Sequence, residues 1–105
     1  MNSHPQLMRL FRKFNAKYFD GELPEPLIKY EHITDMKCFG LCEQLADESF
    51  VITIDPQWAS SRSFRHLTLL HEMVHIHIWP CATHGKKFQD EMMRLALDGA
   101  FKEIW

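Results

Sequence analysis

The sequence predicts a small α+β domain in which about three helices pack with a three-stranded, mostly antiparallel sheet. Three observations favour this class: helical apolar spacing in residues 6–19, strand-like stretches between residues 27 and 54, and a second helical run from about residue 60. The chain has 105 residues, enough for one core but not for two. We therefore expect a single domain over residues 1–105.

The first predicted helix covers residues 6–19 and ends at Gly21, because glycine accepts the left-handed conformation at helix ends. Its apolar stripe consists of Leu7, Leu10, Phe11, Phe14 and Tyr18.

Three strands are predicted, over residues 27–33, 36–46 and 50–54. The last is the clearest because it is rich in β-branched residues. Gly40 lies in the middle of the second, where a glycine indicates a bulge or a close approach of the backbone to another part of the protein.

The central helix is predicted to begin at the N-caps offered by residues 60–63 and to end at about Trp79, before Pro80. It is apolar on most sides and is therefore expected to be wrapped by the fold. A last helix is predicted over about residues 85–97, with Phe88, Met92 and Leu95 facing inward.

The central helix carries the motif His71-Glu72-Met73-Val74-His75. Two histidines four residues apart lie one turn apart on the same face, so their imidazoles can bind one metal ion. Glu72 projects beside the metal, where a general base for a metal-bound water belongs. A polar triplet inside an apolar helix is costly to bury unless something pairs with it. The pattern is typical of a zinc hydrolase of the peptidase kind.

Catalytic zinc usually takes three protein ligands and leaves a fourth position to water. His84 follows the proline that ends the helix, and a loop that turns back can bring it to the metal face. Ligand type and loop geometry favour His84 as the third ligand, with Glu91 and Cys81 as alternatives. Asp90 and Glu91 are candidates for orienting an imidazole, and Tyr30 and His77 for stabilising charge on a carbonyl oxygen.

Composition limits the other functions. The net charge of −2 and the pI near 6.4 predict no basic surface, so charge gives nucleic-acid binding no support. No apolar signal core or run of membrane-spanning length is present, which favours a cytoplasmic protein. Cys38, Cys42 and Cys81 are expected to be free thiols, and without paired Cys-x-x-Cys motifs no zinc ribbon is predicted.

Five segments in order resemble the SprT-like zinc metalloproteases, a family that includes the Spartan protease domain, and together they cover about residues 7 to 95. The first consists of residues 11–15 and 18–24, which include the helix exit Phe19-Asp20-Gly21-Glu22-Leu23. The others are the glycine-centred Cys38-Phe39-Gly40-Leu41-Cys42, residues 50–54, the motif of residues 71–75, and His84-Gly85-Lys86-Lys87-Phe88.

The resemblance implies a compact zincin-like α+β fold with the small sheet packed against the site helix. It also implies that His71, His75 and His84 bind one catalytic Zn²⁺ and that Glu72 is the catalytic acid/base. Many members add a zinc ribbon or DNA-binding segments, and this sequence shows neither.

The leading hypothesis is a zinc-dependent endopeptidase in which Glu72 activates the metal-bound water to hydrolyse peptide bonds. We expect a monomer with protein or peptide substrates and no membrane partner. DNA-associated substrates, and a nucleoid or nuclear location, follow from the resemblance alone. The alternatives are a non-catalytic, zinc-stabilised binding module and a zinc amidase of another class; an intact Glu72 favours the peptidase.

Overall fold

The computed structural model of the protein describes residues 3–34, 39–57, 60–81 and 83–102. The elements in chain order are α1 (Pro5–Tyr18), β1 (Leu27–Tyr30), β2 (Gly40–Gln44), β3 (Phe50–Ile54), α2 (Arg62–His77) and α3 (Lys86–Leu97). The predicted α+β class is confirmed, and each observed helix ends within two residues of its prediction.

The three strands form one mixed sheet in the order β1-β3-β2. β1 pairs with β3 in parallel, with Ile28 opposite Ile52, and β2 pairs with β3 antiparallel, with Cys42 opposite Ile52. We expected mostly antiparallel pairing, and the sheet has one pair of each kind. β3 is buried along its whole length, whereas β2 lies at an edge beside α2.

Two predicted strands are longer than the observed ones. β1 ends at Tyr30 rather than at residue 33, because the Ile33 amide donates a 3.1 Å hydrogen bond to the Asp55 carboxylate and leaves the ladder. β2 begins at Gly40 and ends at Gln44. The predicted start of that strand, residues 36–38 with Cys38, lies outside the described residues.

The core lies between α1, the sheet and α2. Its fully buried members include Leu7, Phe11, Ile28, Ile52, Leu69, Leu70, Met73 and Leu95. The buried Asn15 side chain binds the connector that follows α1 through two hydrogen bonds. Its amide donates to the Leu23 carbonyl at 3.0 Å, and its oxygen accepts from the Leu23 amide at 3.1 Å. The connector between α1 and β1 is thereby held against the core.

Cys42 and Cys81 are free thiols, as predicted. Among the described residues, no helix combines the length with the apolar composition that crossing a bilayer requires.

Candidate metal centre

α2 presents two of the three candidate histidines. The Ser61 hydroxyl caps the helix by accepting a 3.4 Å hydrogen bond from the Phe64 amide, and the helix then runs unbroken to His77. His71 and His75 are therefore one turn apart on the same face, with their Nε2 atoms separated by 3.2 Å.

His84 reaches the same point from the connector between α2 and α3. The chain turns after α2, where the Cys81 amide donates to the Ile78 carbonyl at 3.0 Å. The Nε2 atom of His84 lies 3.1 Å from that of His71 and 3.1 Å from that of His75. The structure thus brings together the three residues predicted as ligands.

Hydrogen bonding among the rings does not account for this triangle. A neutral imidazole nitrogen is either a donor or an acceptor, so among three nitrogens at least two have the same role and cannot bond to each other. A cation between them satisfies all three lone pairs at once. Nitrogen ligands of tetrahedral zinc lie about 3.3–3.4 Å apart when the Zn–N distance is about 2.05 Å. The observed 3.1–3.2 Å separations fit this geometry, so the cluster can hold a metal ion.

The surroundings of the rings favour the neutral form that binds metals. Burial, followed by the charges of the neighbouring His75 and His84, lowers the pKa of His71 to about 4. Burial and His84 also lower the pKa of His75 below its usual value. Near neutral pH both nitrogens are therefore free to donate a lone pair.

The Phe88 ring packs against all three imidazole rings. Its ring centroid lies 4.8 Å from that of His71, 5.1 Å from that of His75 and 4.7 Å from that of His84. Helical spacing predicts that Phe88 faces inward but not that it contacts the three imidazoles. Its spacing of four residues after His84, across a helix start, was the available signal for this role.

Glu72 lies beside the triangle and is not part of it. Its side chain is buried, and its Oε2 atom lies 4.0 Å from His71 Nε2. Burial raises the pKa of Glu72 to about 8 in the metal-free protein. A cation held by the imidazoles would lower this pKa, because it favours the carboxylate. Glu72 can thus exchange a proton close to neutral pH, beside the point where the rings converge.

Gly40 explains how a strand passes so close to this carboxylate. A Cβ atom at residue 40 would lie 2.7 Å from Thr68 Cγ2 and 3.0 Å from Glu72 Oε2. Of the two features predicted at this glycine, a bulge or a close approach, the structure shows the close approach; Gly40 is the first residue of β2, opposite Ile54, and not its middle.

The alternative ligand Glu91 points elsewhere. Its Oε2 atom accepts hydrogen bonds from Arg94 Nε and Nη2, both at 3.0 Å, and lies 3.4 Å from His77 Nε2. Asp90 pairs with Lys86 at 2.7 Å. These contacts of both carboxylates lie away from the three imidazoles, so they support neither residue as a ligand or as an orienting group.

The remaining candidates also lie apart from the cluster. The Cys81 thiol contacts the Thr83 hydroxyl at 3.6 Å and is not among the groups whose atoms converge with the imidazoles. The His77 ring packs against Phe19, and Tyr30 packs edge-on against the ring of His4. Neither Tyr30 nor His77 lines the cavity at the cluster, so neither is placed to stabilise charge there.

The cluster opens into a cavity of about 510 Å³ between α2 and the edge strand β2. The three histidines and Glu72 lie on its wall, and most of the other lining side chains are apolar. A cavity of this size suits part of a peptide or a small ligand.

The chain matches the SprT-like family over residues 7–102, nearly its whole length. It belongs to the SprT-like family. Comparison with the curated proteins and with the solved structures gave no significant match. Family membership and the converging imidazoles together indicate a metalloprotease-like domain with a site that can hold a metal ion.

Proposed function

We propose that this SprT-like protein is a zinc-dependent endopeptidase in which His71, His75 and His84 bind the metal and Glu72 is the catalytic acid/base. The observation that carries the proposal is the convergence of three Nε2 atoms within 3.2 Å, with the Glu72 carboxylate buried 4.0 Å from one of them.

Zinc is the metal that the donor set favours. Imidazole ligands suit zinc, copper, iron and nickel, whereas magnesium and calcium prefer oxygen. Three protein ligands leave a fourth position open, which is the usual arrangement of a catalytic rather than a structural zinc site. When bound there, zinc supplies a Lewis acid that polarises a carbonyl and makes a nearby water more acidic.

Glu72 carries out the proton transfers. Its Oε2 atom takes a proton from the attacking water and later gives it to the departing amine. A carboxylate with a pKa near the working pH can do both, and burial shifts the pKa of Glu72 in that direction. The absence of a side chain at Gly40 leaves room for the carboxylate beside β2, because a Cβ atom there would lie 3.0 Å from Glu72 Oε2.

The sheet edge beside the site favours a polypeptide substrate over a small amide. β2 pairs only with β3 among the described strands, so its other edge can accept an extended peptide as an added strand. Gly40, at the start of β2, lies against Glu72, which brings a peptide on this edge close to the carboxylate.

The test compares purified wild-type protein with Glu72→Gln. We expect the wild type to contain about one equivalent of zinc and to cleave an unfolded protein substrate, with cleavage abolished by a chelator and restored by zinc. Glu72→Gln should retain zinc and lose activity by a factor of 10² or more, since general acid–base catalysis contributes about 10²–10⁴-fold.

Two results would contradict the proposal. Zinc binding without cleavage by the wild type would favour a zinc-stabilised binding module. Hydrolysis of small amides but not of peptides would favour an amidase. Action on DNA-associated proteins, a monomeric state and a cytoplasmic location stay predictions of the sequence analysis.

A further inference from the structure

One side of the cavity beside the metal cluster is formed by exposed apolar side chains. Phe39 is 44% exposed, Leu41 37% and Phe64 38%, and all three line the cavity together with Leu67. Single exposed apolar residues are common on protein surfaces, but a contiguous group beside polar catalytic candidates is characteristic of binding sites.

This apolar wall is built by two elements that also hold Glu72. Phe39 precedes Gly40, where a Cβ atom would lie 3.0 Å from Glu72 Oε2, and Phe64 lies two turns before Glu72 on α2. The rings of Phe39 and Phe64 meet edge to face, with centroids 5.3 Å apart. The wall therefore has a fixed position close to the carboxylate.

The cavity lining offers few partners for a charged side chain. Among the described lining residues, Glu72 is the only carboxylate, and neither lysine nor arginine is present. An anionic side chain entering beside Phe39 and Phe64 would lose water without gaining a partner of opposite charge, and a cationic one could pair only with Glu72, the proposed acid/base. An apolar side chain would gain free energy from the same transfer.

Resting on the proposed peptidase function, we propose that the wall of Phe39, Leu41, Phe64 and Leu67 is a specificity pocket for a large apolar side chain next to the cleaved peptide bond. Phenylalanine, leucine and methionine are the side chains that fit this chemistry, and the volume of about 510 Å³ accommodates one of them together with the adjoining backbone.

The experiment uses two blocked nonapeptides that differ at one position. The first has phenylalanine at its centre among alanines, the second has alanine there, and both carry terminal lysines for solubility. We expect the zinc-loaded wild type to cleave the phenylalanine peptide beside that residue with a kcat/KM at least about tenfold higher, the usual effect of such a difference in an apolar pocket. In Phe64→Ala this ratio should fall below about threefold.

Leu97→Ala is the matched control, because Leu97 is also an exposed apolar residue, 81% exposed, but lies outside the cavity. Its ratio should equal that of the wild type. Calorimetric binding of both peptides to zinc-loaded Glu72→Gln, with and without Phe64→Ala, gives a readout independent of cleavage. There we expect the same preference of about tenfold or more, and its loss when Phe64 is shortened.

The outcomes separate the two proposals. Cleavage without preference for phenylalanine, or a preference that survives Phe64→Ala, overturns the pocket and leaves the peptidase standing. Absence of cleavage of both the nonapeptides and the unfolded protein substrate, with a Phe64-dependent binding preference, overturns the peptidase and supports the apolar selectivity. Neither cleavage nor a binding preference overturns both.

Discussion

Gly40 lies so close to the carboxylate of Glu72 that a Cβ atom at residue 40 would be 3.0 Å from Glu72 Oε2. Any larger residue at this point of β2 has to displace the strand, Thr68 or the carboxylate itself. Gly40 is thus a positioning residue for the proposed acid/base.

Gly40→Ala is expected to lower kcat/KM by about tenfold to a hundredfold, because displacing a catalytic group by a fraction of an ångström to 1 Å has effects of this size. Zinc content should stay near one equivalent, since the imidazoles are not displaced. Peptide cleavage and metal analysis of the same preparation check both statements. Glu43→Ala, an exposed residue on the same strand, is the control and should retain activity. Full activity of Gly40→Ala would show that the contact does not position Glu72.

His84→Ala is expected to weaken zinc binding by more than about a hundredfold, since even residues that only orient ligands contribute about 10–100-fold. Glu91→Gln should bind zinc as the wild type does, because the Glu91 carboxylate is engaged by Arg94 and His77. Titration against a competing chelator measures both affinities. The reverse ranking would make Glu91 the third ligand.

The local features of this chain follow from its sequence, because they depend on residues close together along it. Helical spacing and the cap at Ser61 predict α2, and the His71–His75 spacing predicts two converging imidazoles. The close approach at Gly40 was also predictable, but its partner Glu72 was not, because that contact depends on how β2 packs against α2.

The features that the sequence left open depend on the packing of separate elements. The parallel pairing of β1 with β3 is not visible in strand periodicity, which is the same for both kinds of pairing. Glu91 remained an alternative to His84 because its contact with His77 forms only once α3 is docked on α2, although its ion pair with Arg94 is local to α3.

The metal-free protein is expected to be most stable near pH 6.5. An unfolded glutamate titrates near 4.5 and folded Glu72 at about 8, so the folded state holds more protons between these values and loses stability as the pH rises through them. His71 acts in the opposite direction, because its pKa is about 4 in the folded protein and 6.5 in the unfolded chain. Its contribution to the free energy of unfolding is therefore complete above pH 6.5 and is lost as the pH falls towards 4. The lowered pKa of His75 adds to the loss in acid.

Glu72→Gln tests whether Glu72 causes the loss of stability above pH 6.5. Denaturant unfolding of chelator-treated wild type should give a free energy of unfolding about 1–2 kcal/mol lower at pH 8 than at pH 6.5. In Glu72→Gln this difference should disappear, because the amide does not titrate. An equal decrease in both proteins would assign the effect to another group.

Packing of Phe88 against the three histidines is expected to increase their affinity for zinc. Because its ring supports all three imidazoles, Phe88→Leu removes flat contact area under His71, His75 and His84 while keeping the residue apolar. Zinc affinity should fall by about 10–100-fold, the usual effect of losing a group that orients metal ligands.

Phe101→Leu is the matched control, since Phe101 is 7% exposed and Phe88 8%, and both belong to the same core. Both substitutions should lower the free energy of unfolding by about 1 kcal/mol. Only Phe88→Leu should change the zinc affinity measured against a chelator; equal affinities in the two variants would mean that Phe88 acts as core packing alone.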